Sequence, residues 1–469
     1  MDSMEARRDV RWLRGLTLPL AFAALTTPAL AEDAAGDAAL RDRIDGLEQR
    51  ILELEARLAA QASSTPAPAL RDEPVSPGPT DAAIREPGEI ALSDASPEPA
   101  EAAGLSGAVS GSERPVEALT ASAAPRVELG GALRYNLVHR DFVDASSGKR
   151  GESGFDLFRL NVDGELNDII VSAEYRHYSF MDTLRYGWLG YRFEDASELR
   201  VGIHQVPFGL LPYAAHNAWF GVPYYVGLSD DYDMGIQYLR EDGPWSTQLA
   251  FYKNEELNDA TDAGRYSIDM LRSGDQQNEE TNQFNARATY TIGQGSGCET
   301  ELGGSAQRSE LYNNATDERG DHWAAAVHLD SRCGRWNLQL QGVRYEYDPA
   351  NPAGVSADTV RVGAFEGTYD IASEADILVA NLAYNFPPPA RFIDQLTCYN
   401  DYSRLYKRID GSRDSQINTI GCAIGSGPLF TYVDYILARD MALFGNGSMG
   451  TGGDGEWRGR VNVNVGFYW

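Results

Sequence analysis

Charged side chains at alternate positions are the first feature of this sequence that could do chemistry. Four arginines lie on the polar faces of short amphipathic runs: Arg134, Arg159, Arg176 and Arg200. An aromatic residue and three acids follow further along the chain: Tyr224, Asp230, Asp231 and Asp233. If the two groups face each other across a narrow gap, their charges create a transverse field that orients polar solutes. The alternative is that the arginines are ordinary solvated residues paired with Glu174, Asp163 or Glu165.

The histidines and acids form no recognisable catalytic or metal-binding motif. Histidines occur at positions 139, 177, 204, 216, 322 and 328, without zinc-site spacing, and no G-x-S-x-G segment is present. The acidic runs "SDDYD", "NEELNDATDAG" and "NNATDERGD" match no defined calcium-loop spacing. For these runs solvation is a stronger interpretation than cation binding. We therefore predict that the protein is not an enzyme and has neither a cofactor nor a bound metal.

The composition excludes one class of partner and favours strands. The formal net charge is −29, and only three of the 40 basic residues are lysines. Nucleic-acid binding needs clustered positive charge, so no nucleic-acid partner is expected. The chain also contains 47 glycines and 24 tyrosines, a mixture that suits strands and turns better than helices.

The first 125 residues divide into three segments that lie outside the strand-rich part. Residues 1–31 join a basic start to the apolar run "GLTLPLAFAALTTPALA", which predicts a signal peptide rather than a membrane anchor. Residues 38–61 carry Leu and Ile at heptad spacing and predict a short coiled coil, with a lone amphipathic helix as the alternative. Residues 62–125, rich in Ala, Pro and Ser, predict a disordered linker.

From residue 126 onward, short runs alternate between apolar and polar residues. The apolar faces carry aromatic residues near the strand ends, and the opposite faces carry ions that a packed core would not accept. Residues 126–469 are therefore predicted to be all-β, forming a 16-stranded antiparallel transmembrane β-barrel. The predicted strands are 126–141, 155–166, 169–180, 184–195, 199–209, 232–242, 245–256, 282–292, 298–312, 322–331, 335–348, 375–387, 395–408, 415–424, 428–440 and 458–469.

The connections between these strands alternate in length. Tight turns of two or three residues contrast with long polar connections at 210–231, 257–281, 349–374 and 441–457. Short turns on one side and long loops on the other are typical of outer-membrane barrels. The run at 359–371 is placed in a long outer loop, because a seventeenth strand would leave the two ends of the barrel chain on opposite sides of the membrane. The last strand, ending on Trp469, is expected to close the barrel against 126–141 and to be recognised by the assembly machinery.

The four cysteines fall into two pairs within this strand pattern. Cys298 opens the ninth predicted strand and Cys333 follows the tenth, and the hairpin loop between them lies near their midpoint. Cys398 and Cys422 bracket a loop in the same way. An exported chain favours oxidised cysteines. We predict the disulfides Cys298–Cys333 and Cys398–Cys422, near the periplasmic end.

Three stretches resemble the phosphate-selective porin O/P family of outer-membrane porins. They are "RVGIHQVPFGLLPY" at 200–213, "YNDYSRLYK" at 399–407 and the ending "WRGRVNVNVGFYW". The resemblance implies a trimeric barrel whose third loop, here 210–231, folds inward and narrows the pore. The aromatic residues of that loop could line the constriction or pack against the barrel wall. Phosphate selectivity in the family relies on a basic ladder with lysines, which this chain lacks.

The expected function is therefore an outer-membrane porin, a water-filled channel for passive diffusion of small hydrophilic solutes and ions. The alternative is an outer-membrane structural tether that links the barrel to the cell wall. The expected partners are outer-membrane lipid, lipopolysaccharide and further copies in a homotrimer. The coiled coil would lie in the periplasm.

Overall fold

The computed structural model describes residues 125–469, and these residues form a closed barrel of sixteen antiparallel strands. Every predicted barrel strand is present. The barrel strands are β1 (Arg126–Arg140), β2 (Glu152–Leu166), β3 (Ile169–His177), β4 (Asp182–Arg192), β5 (Ser197–Gln205), β6 (Tyr232–Asp242), β7 (Trp245–Glu255), β9 (Asn278–Ile292), β10 (Cys298–Asn313), β11 (Glu318–Cys333), β12 (Trp336–Asp348), β15 (Glu374–Phe386), β16 (Gln395–Lys407), β17 (Ser415–Ser426), β18 (Leu429–Arg439) and β19 (Trp457–Tyr468).

The C-terminal strand closes the barrel, as its alternating sequence predicts. β19 pairs with β1 from Ala132↔Tyr468 to Arg140↔Arg460. Along β19, Phe467 is exposed on the outer surface, whereas Asn462 and Asn464 are buried on the lumen side. Closure leaves no strand edge unpaired, which a backbone in a lipid environment requires.

The outer surface of the barrel is apolar and the inner surface is polar. Leu129 is 73% exposed, Val327 68% and Phe284 61%, all on the outward positions of their strands. The intervening positions carry buried Arg, Asn, Gln, Asp and Ser residues. In water this arrangement would expose an apolar band, so the barrel is suited to a bilayer, where that band faces lipid.

The long connections all lie at one end of the barrel. They span 206–231, 256–277, 349–373 and 440–456, whereas the opposite end has connections such as 167–168, 243–244 and 427–428. Two short helices also lie at the long-loop end, α1 (Asp144–Lys149) and α2 (Val222–Tyr225). We call this end the outer end and the other the periplasmic end. Both ends of the described chain lie at the periplasmic end.

A small second sheet forms among the long loops. It contains β8 (Asp269–Met270), β13 (Thr359–Ala364) and β14 (Gly367–Ala372), in the order β14-β13-β8. The segment 359–371 is therefore a hairpin outside the barrel wall. The prediction that this segment lies in an outer loop, which was based only on the need for an even number of barrel strands, is confirmed.

β2 and β9 begin before their predicted starts because a bulge interrupts the alternation in each. β9 begins at Asn278 rather than at residue 282. Asn282 has a φ of 55°, and the ladder with β10 shifts register between Arg308 and Glu310. A bulge moves the following side chains to the other face. The pattern before residue 282 is therefore out of phase with the pattern after it.

Both predicted disulfides are present, Cys298–Cys333 and Cys398–Cys422. Each joins two residues that are direct partners on neighbouring strands, near the periplasmic end.

We expect peptide mapping without reduction to recover both linked pairs and no alkylated thiol. The double variant Cys298→Ser/Cys333→Ser should lose about 2–4 kcal/mol of unfolding free energy, because the unfolded chain is no longer constrained. Urea titration of the refolded protein in lipid measures this loss. Unchanged stability would show that the paired strands already hold these positions.

Among the described residues, no helix combines the length and apolar character needed to cross a membrane. The predicted signal peptide, coiled coil and most of the predicted linker, residues 1–124, lie outside the described residues.

Candidate channel constriction

The connection between β5 and β6, residues 206–231, folds into the barrel. Nearly all of its side chains are buried, including Phe208, Trp219 and Tyr225. An exposed loop at a barrel mouth could not bury so many large residues. We call residues 206–231 the inward loop; it includes the predicted range 210–231.

The inward loop crosses the full width of the lumen. It begins at β5 and reaches Ser403 on β16, whose hydroxyl accepts a 2.8 Å hydrogen bond from the Val222 N–H. β16 is the eighth strand from β5 in either direction around the sixteen-stranded barrel, so the two strands are diametrically opposed. A segment that joins opposite walls must divide the cross-section of the lumen.

Further hydrogen bonds hold the start of the inward loop against the lumen wall. The Gly209 N–H donates to the Ser305 hydroxyl at 2.9 Å, and the Leu210 N–H donates to Gln341 Oε1 at 2.7 Å. Arg287 donates to the Gly209 carbonyl at 2.8 Å. These contacts satisfy backbone groups that burial would otherwise leave without partners.

Asp401 on β16 holds the middle of the inward loop. Its carboxylate accepts hydrogen bonds from the His216 N–H at 2.6 Å, the Asn217 N–H at 3.1 Å and the Asn217 side chain at 2.8 Å. His216 Nδ1 lies 2.7 Å from the other carboxylate oxygen, and His216 Nε2 lies 2.7 Å from Asn337 Oδ1. One carboxylate therefore positions two consecutive loop residues.

The charge of His216 depends on pH. Burial lowers its pKa, but the Asp401 carboxylate, with Asn337 and the more distant Asp330, outweighs that effect and leaves the pKa above its usual 6.5. The protonated ring therefore stabilises the docked loop fully below pH 6.5, and this stabilisation is lost as pH rises through the elevated pKa.

We expect the open-channel current to become larger and noisier as pH rises from about 6 to about 9, because the loop is held less firmly. Recording single channels across this range measures the effect. The variant His216→Asn keeps hydrogen-bonding capacity without a titrating ring and should show a flat profile. An equally pH-dependent His216→Asn channel would assign the effect to another group.

Three arginines converge on one buried carboxylate in the lumen wall. Glu174 lies 2.6 Å from Arg176, 3.5 Å from Arg185 and 3.7 Å from Arg159, and it accepts a 2.8 Å hydrogen bond from Asn161. Arg159 and Arg176 thus pair with Glu174, as in the alternative interpretation of the sequence, but they are buried rather than solvated.

The four predicted arginines differ in their access to solvent. The side chains of Arg134 and Arg176 are 0% exposed and that of Arg159 is 5%, whereas Arg200 is 27% exposed. Arg134 pairs with Asp156 at 2.9 Å, and Arg176 lies under the ring of Tyr266. Arg134, Arg159 and Arg176 lie on the adjacent strands β1, β2 and β3, whereas β4 separates Arg200 on β5 from them. Of these four arginines only Arg200 has substantial access to solvent.

The three predicted acids separate into two environments. Asp230 accepts a 2.7 Å hydrogen bond from Arg185 and so belongs to the arginine cluster. Asp231 and Asp233 instead approach Asp269 of β8. Asp230 has a φ of 54°, and this left-handed turn directs consecutive residues to different sides. The structure therefore brings Asp230 to Arg185, which is not one of the four predicted arginines, and places Asp231 and Asp233 beside Asp269.

Tyr224 packs in the interior with the other aromatic residues of the inward loop. Its ring lies 4.5 Å from that of Phe220, and its hydroxyl donates to the Tyr266 carbonyl at 3.3 Å. Tyr369 of β14 donates to the Tyr225 carbonyl at 2.7 Å. The outer loops therefore pack onto the inward loop. The aromatic rings of the inward loop pack against the barrel wall and the outer loops rather than lining a solvent-filled passage.

Two residues that are central to the constriction, Arg185 and Asp401, were not identified from the sequence. Arg185 lies where the β3–β4 ladder shifts register, between the pairs Glu174↔Tyr186 and Tyr175↔Leu184, so simple alternation does not mark it as a lumen residue. Asp401 lies on the lumen face of β16 and follows the expected parity. Its partners, however, are 184 and 185 residues away in sequence, and no local pattern shows them.

Comparison with known proteins places this architecture among porins. The family described as phosphate-selective porin O and P matches residues 127–352, from β1 to just beyond β12. No curated protein matches the chain. In vitro folded OmpT of Vibrio cholerae, in its trimer form, matches with a TM-score of 0.50 and 14% identity, covering 74% of this chain and 100% of OmpT. The outer membrane channel DcaP of Acinetobacter baumannii matches with a TM-score of 0.51 and 13% identity, covering 75% and 99%.

The family match confirms the porin resemblance. It supports the interpretation of this chain as an outer-membrane channel protein rather than an enzyme. The two structures are too distant in sequence to support more than the fold. They agree with the closed barrel.

Proposed function

We propose, on the premise that this chain is a porin similar to the phosphate-selective porins O and P, that it passes small hydrophilic solutes and ions by passive diffusion. The observation that carries this proposal is the inward loop, which joins diametrically opposed walls through Val222 and Ser403. A sixteen-stranded barrel would otherwise enclose a wide aqueous channel. The loop supplies the constriction that limits solute size.

We propose that the buried arginines support the constriction and that Arg200 acts on the solutes. Arg134 pairs with Asp156, Arg159 and Arg176 share Glu174, and all three arginines have little contact with water. They fix the wall beside the inward loop. Their burial, together with the scarcity of lysine, gives no support to phosphate as the favoured solute.

Arg200→Ala should shift the reversal potential in a salt gradient toward cation preference. Arg200 pairs with Glu198 at 2.5 Å, and its removal leaves a partly exposed carboxylate without its charge partner. The matched control is Arg308→Ala, since Arg308 is 74% exposed and lies on the outward-facing parity of β10. Equal shifts in both variants, or none in Arg200→Ala, would contradict a role for Arg200 in selectivity.

For the whole protein we propose export by a signal peptide at residues 1–31 and insertion in the outer membrane beside lipid and lipopolysaccharide. The C-terminal strand would be recognised by the barrel-assembly machinery. A homotrimer is supported by the trimer form of OmpT. The coiled coil at 38–61 would extend into the periplasm, joined by the linker at 62–125.

The tether alternative assigns the barrel an anchoring role alone. It is not favoured, because the family match is to channel-forming porins and the lumen carries a loop held in place by many hydrogen bonds. An anchor has no need of a structured constriction.

Liposome swelling tests the proposed function. Vesicles containing the refolded protein should swell in isotonic solutions of small sugars, at rates that fall steeply as sugar size increases. Vesicles that contain the folded barrel but do not swell in any sugar would contradict passive diffusion and support the tether.

A further inference from the structure

Three carboxylates, two of them buried and one half-buried, meet beside the inward loop without a matching number of positive charges. Asp231, Asp233 and Asp269 each offer one oxygen, and the three oxygens lie within 4.8 Å of one another. Asp231 and Asp233 are only 8% and 7% exposed. We call these three residues the acidic site.

Two carboxylate oxygens of the acidic site lack hydrogen-bond partners. Asp231 Oδ1 and Asp233 Oδ1 are both buried, and neither has a hydrogen-bond partner among the described residues. Buried polar atoms are almost always hydrogen-bonded, so two unpartnered oxygens in one cluster are unusual. A missing ligand would account for both atoms at once.

A small, partly open pocket adjoins two residues of the acidic site. Asp233 and Asp269 line it, together with Glu255, Glu280 and Gln283. Its walls are therefore rich in the carboxylate and amide oxygens that hard cations prefer.

The nearest positive charge does not balance the acidic site. Arg265 lies 3.4 Å from Asp269, but it is shared with Glu255 and Glu256, each at 3.8 Å. Arg265 is thus one positive charge among five carboxylates, those of the acidic site together with Glu255 and Glu256. A bound cation would supply part of the missing positive charge.

We propose that the acidic site binds one calcium ion, with Asp231, Asp233 and Asp269 as carboxylate ligands. Calcium holds oxygen ligands at about 2.3–2.6 Å, so two of its ligands can lie about 5 Å apart, which accommodates the span of these oxygens. Magnesium requires shorter bonds and usually retains several waters, which a small pocket accommodates poorly. Calcium-loop spacing is absent from the sequence because the ligands come from separate segments.

The position of the acidic site gives the ion a structural role. Asp231 ends the inward loop, Asp233 belongs to β6, and Asp269 belongs to β8 in the next long loop. One ion would join the base of the inward loop to the barrel wall and to the small outer sheet.

Calcium binding by the refolded, lipopolysaccharide-free full chain tests this proposal. After treatment with a chelator, equilibrium dialysis with radioactive calcium is performed in excess potassium chloride, so that weak surface binding is screened. We expect one saturable site per chain, little competition from magnesium, and a calcium-dependent rise of several degrees in the unfolding temperature.

The double variant Asp231→Asn/Asp233→Asn should weaken this binding by about tenfold or more, since loss of second-shell partners alone typically costs that much. Asp410→Asn, which changes an exposed loop carboxylate, should bind calcium like the wild type. Wild-type protein without a saturable site, or equal affinity for magnesium, would overturn the proposal even if the double variant fails to fold. A folded double variant with wild-type affinity would also overturn it.

Discussion

Replacing residues 207–230 by an Asn-Gly turn should raise single-channel conductance severalfold. Gln205 and Tyr232 are direct partners on β5 and β6, and the Val206 N–H already donates to the Asp231 carbonyl. A two-residue hairpin can therefore close the two strands without disturbing the barrel. The replacement removes every segment of the inward loop that crosses the lumen, so the full width becomes available to water and ions.

A graded variant separates loss of the loop from damage to the barrel. Asp401→Ala removes the carboxylate that holds His216 and Asn217, and it should give a conductance between those of the wild type and the loop replacement. The matched control deletes Asp410 and Gly411, two exposed residues of another outer connection, and should conduct like the wild type. An unchanged conductance in the loop replacement would show that the constriction lies elsewhere.

Arg134→Ala should destabilise the folded barrel by about 3–5 kcal/mol, the typical cost of breaking a buried ion pair. Arg134 and Asp156 are both 0% exposed at the side chain and lie 2.9 Å apart. Removing the guanidinium leaves the Asp156 charge buried with a weaker set of partners, among them Asn464 at 2.7 Å. The midpoint of urea unfolding in lipid vesicles measures the loss.

A double variant identifies the buried charge as the cause. Arg134→Met combined with Asp156→Leu removes both charges and should be more stable than Arg134→Met alone, which leaves the Asp156 charge buried. The control Arg126→Ala changes an arginine that is 71% exposed and should alter stability by less than about 1 kcal/mol. Wild-type stability in Arg134→Ala would contradict a supporting role for this arginine.

The fold could be predicted from the sequence because the barrel repeats one local rule. Each strand buries one face in the lumen and exposes the other to lipid, so a period of two residues marks every strand, including β19 with its Asn462 and Phe467. Loop lengths and the requirement for an even strand count then place 359–371 outside the wall. The cysteine pairs follow, because hairpin register fixes which residues are neighbours.

The constriction could be predicted only in part because its contacts are not local. That the loop after β5 enters the lumen was implied by family resemblance, but its anchor on Asp401 depends on residues far apart in sequence. Arg185 lies at a bulge, where the two-residue period fails. The separation of Asp230 from Asp231 follows from one left-handed residue, and such turns have no periodic signal.

The acidic site also could not be identified by motif analysis. A calcium loop is recognised by ligands at fixed spacing within one segment. Asp231, Asp233 and Asp269 belong to three different elements that only the folded loops bring together. The prediction of no metal was made from spacing alone, whereas the structure provides buried oxygens without partners.

Single-channel recording of the wild-type protein in a planar bilayer tests the central claim most directly. The refolded full-length chain should insert in discrete current steps, each ohmic and each smaller than the steps of the variant in which residues 207–230 are replaced. A correctly folded protein that inserts into the bilayer and carries no current would contradict the assignment as a diffusion channel.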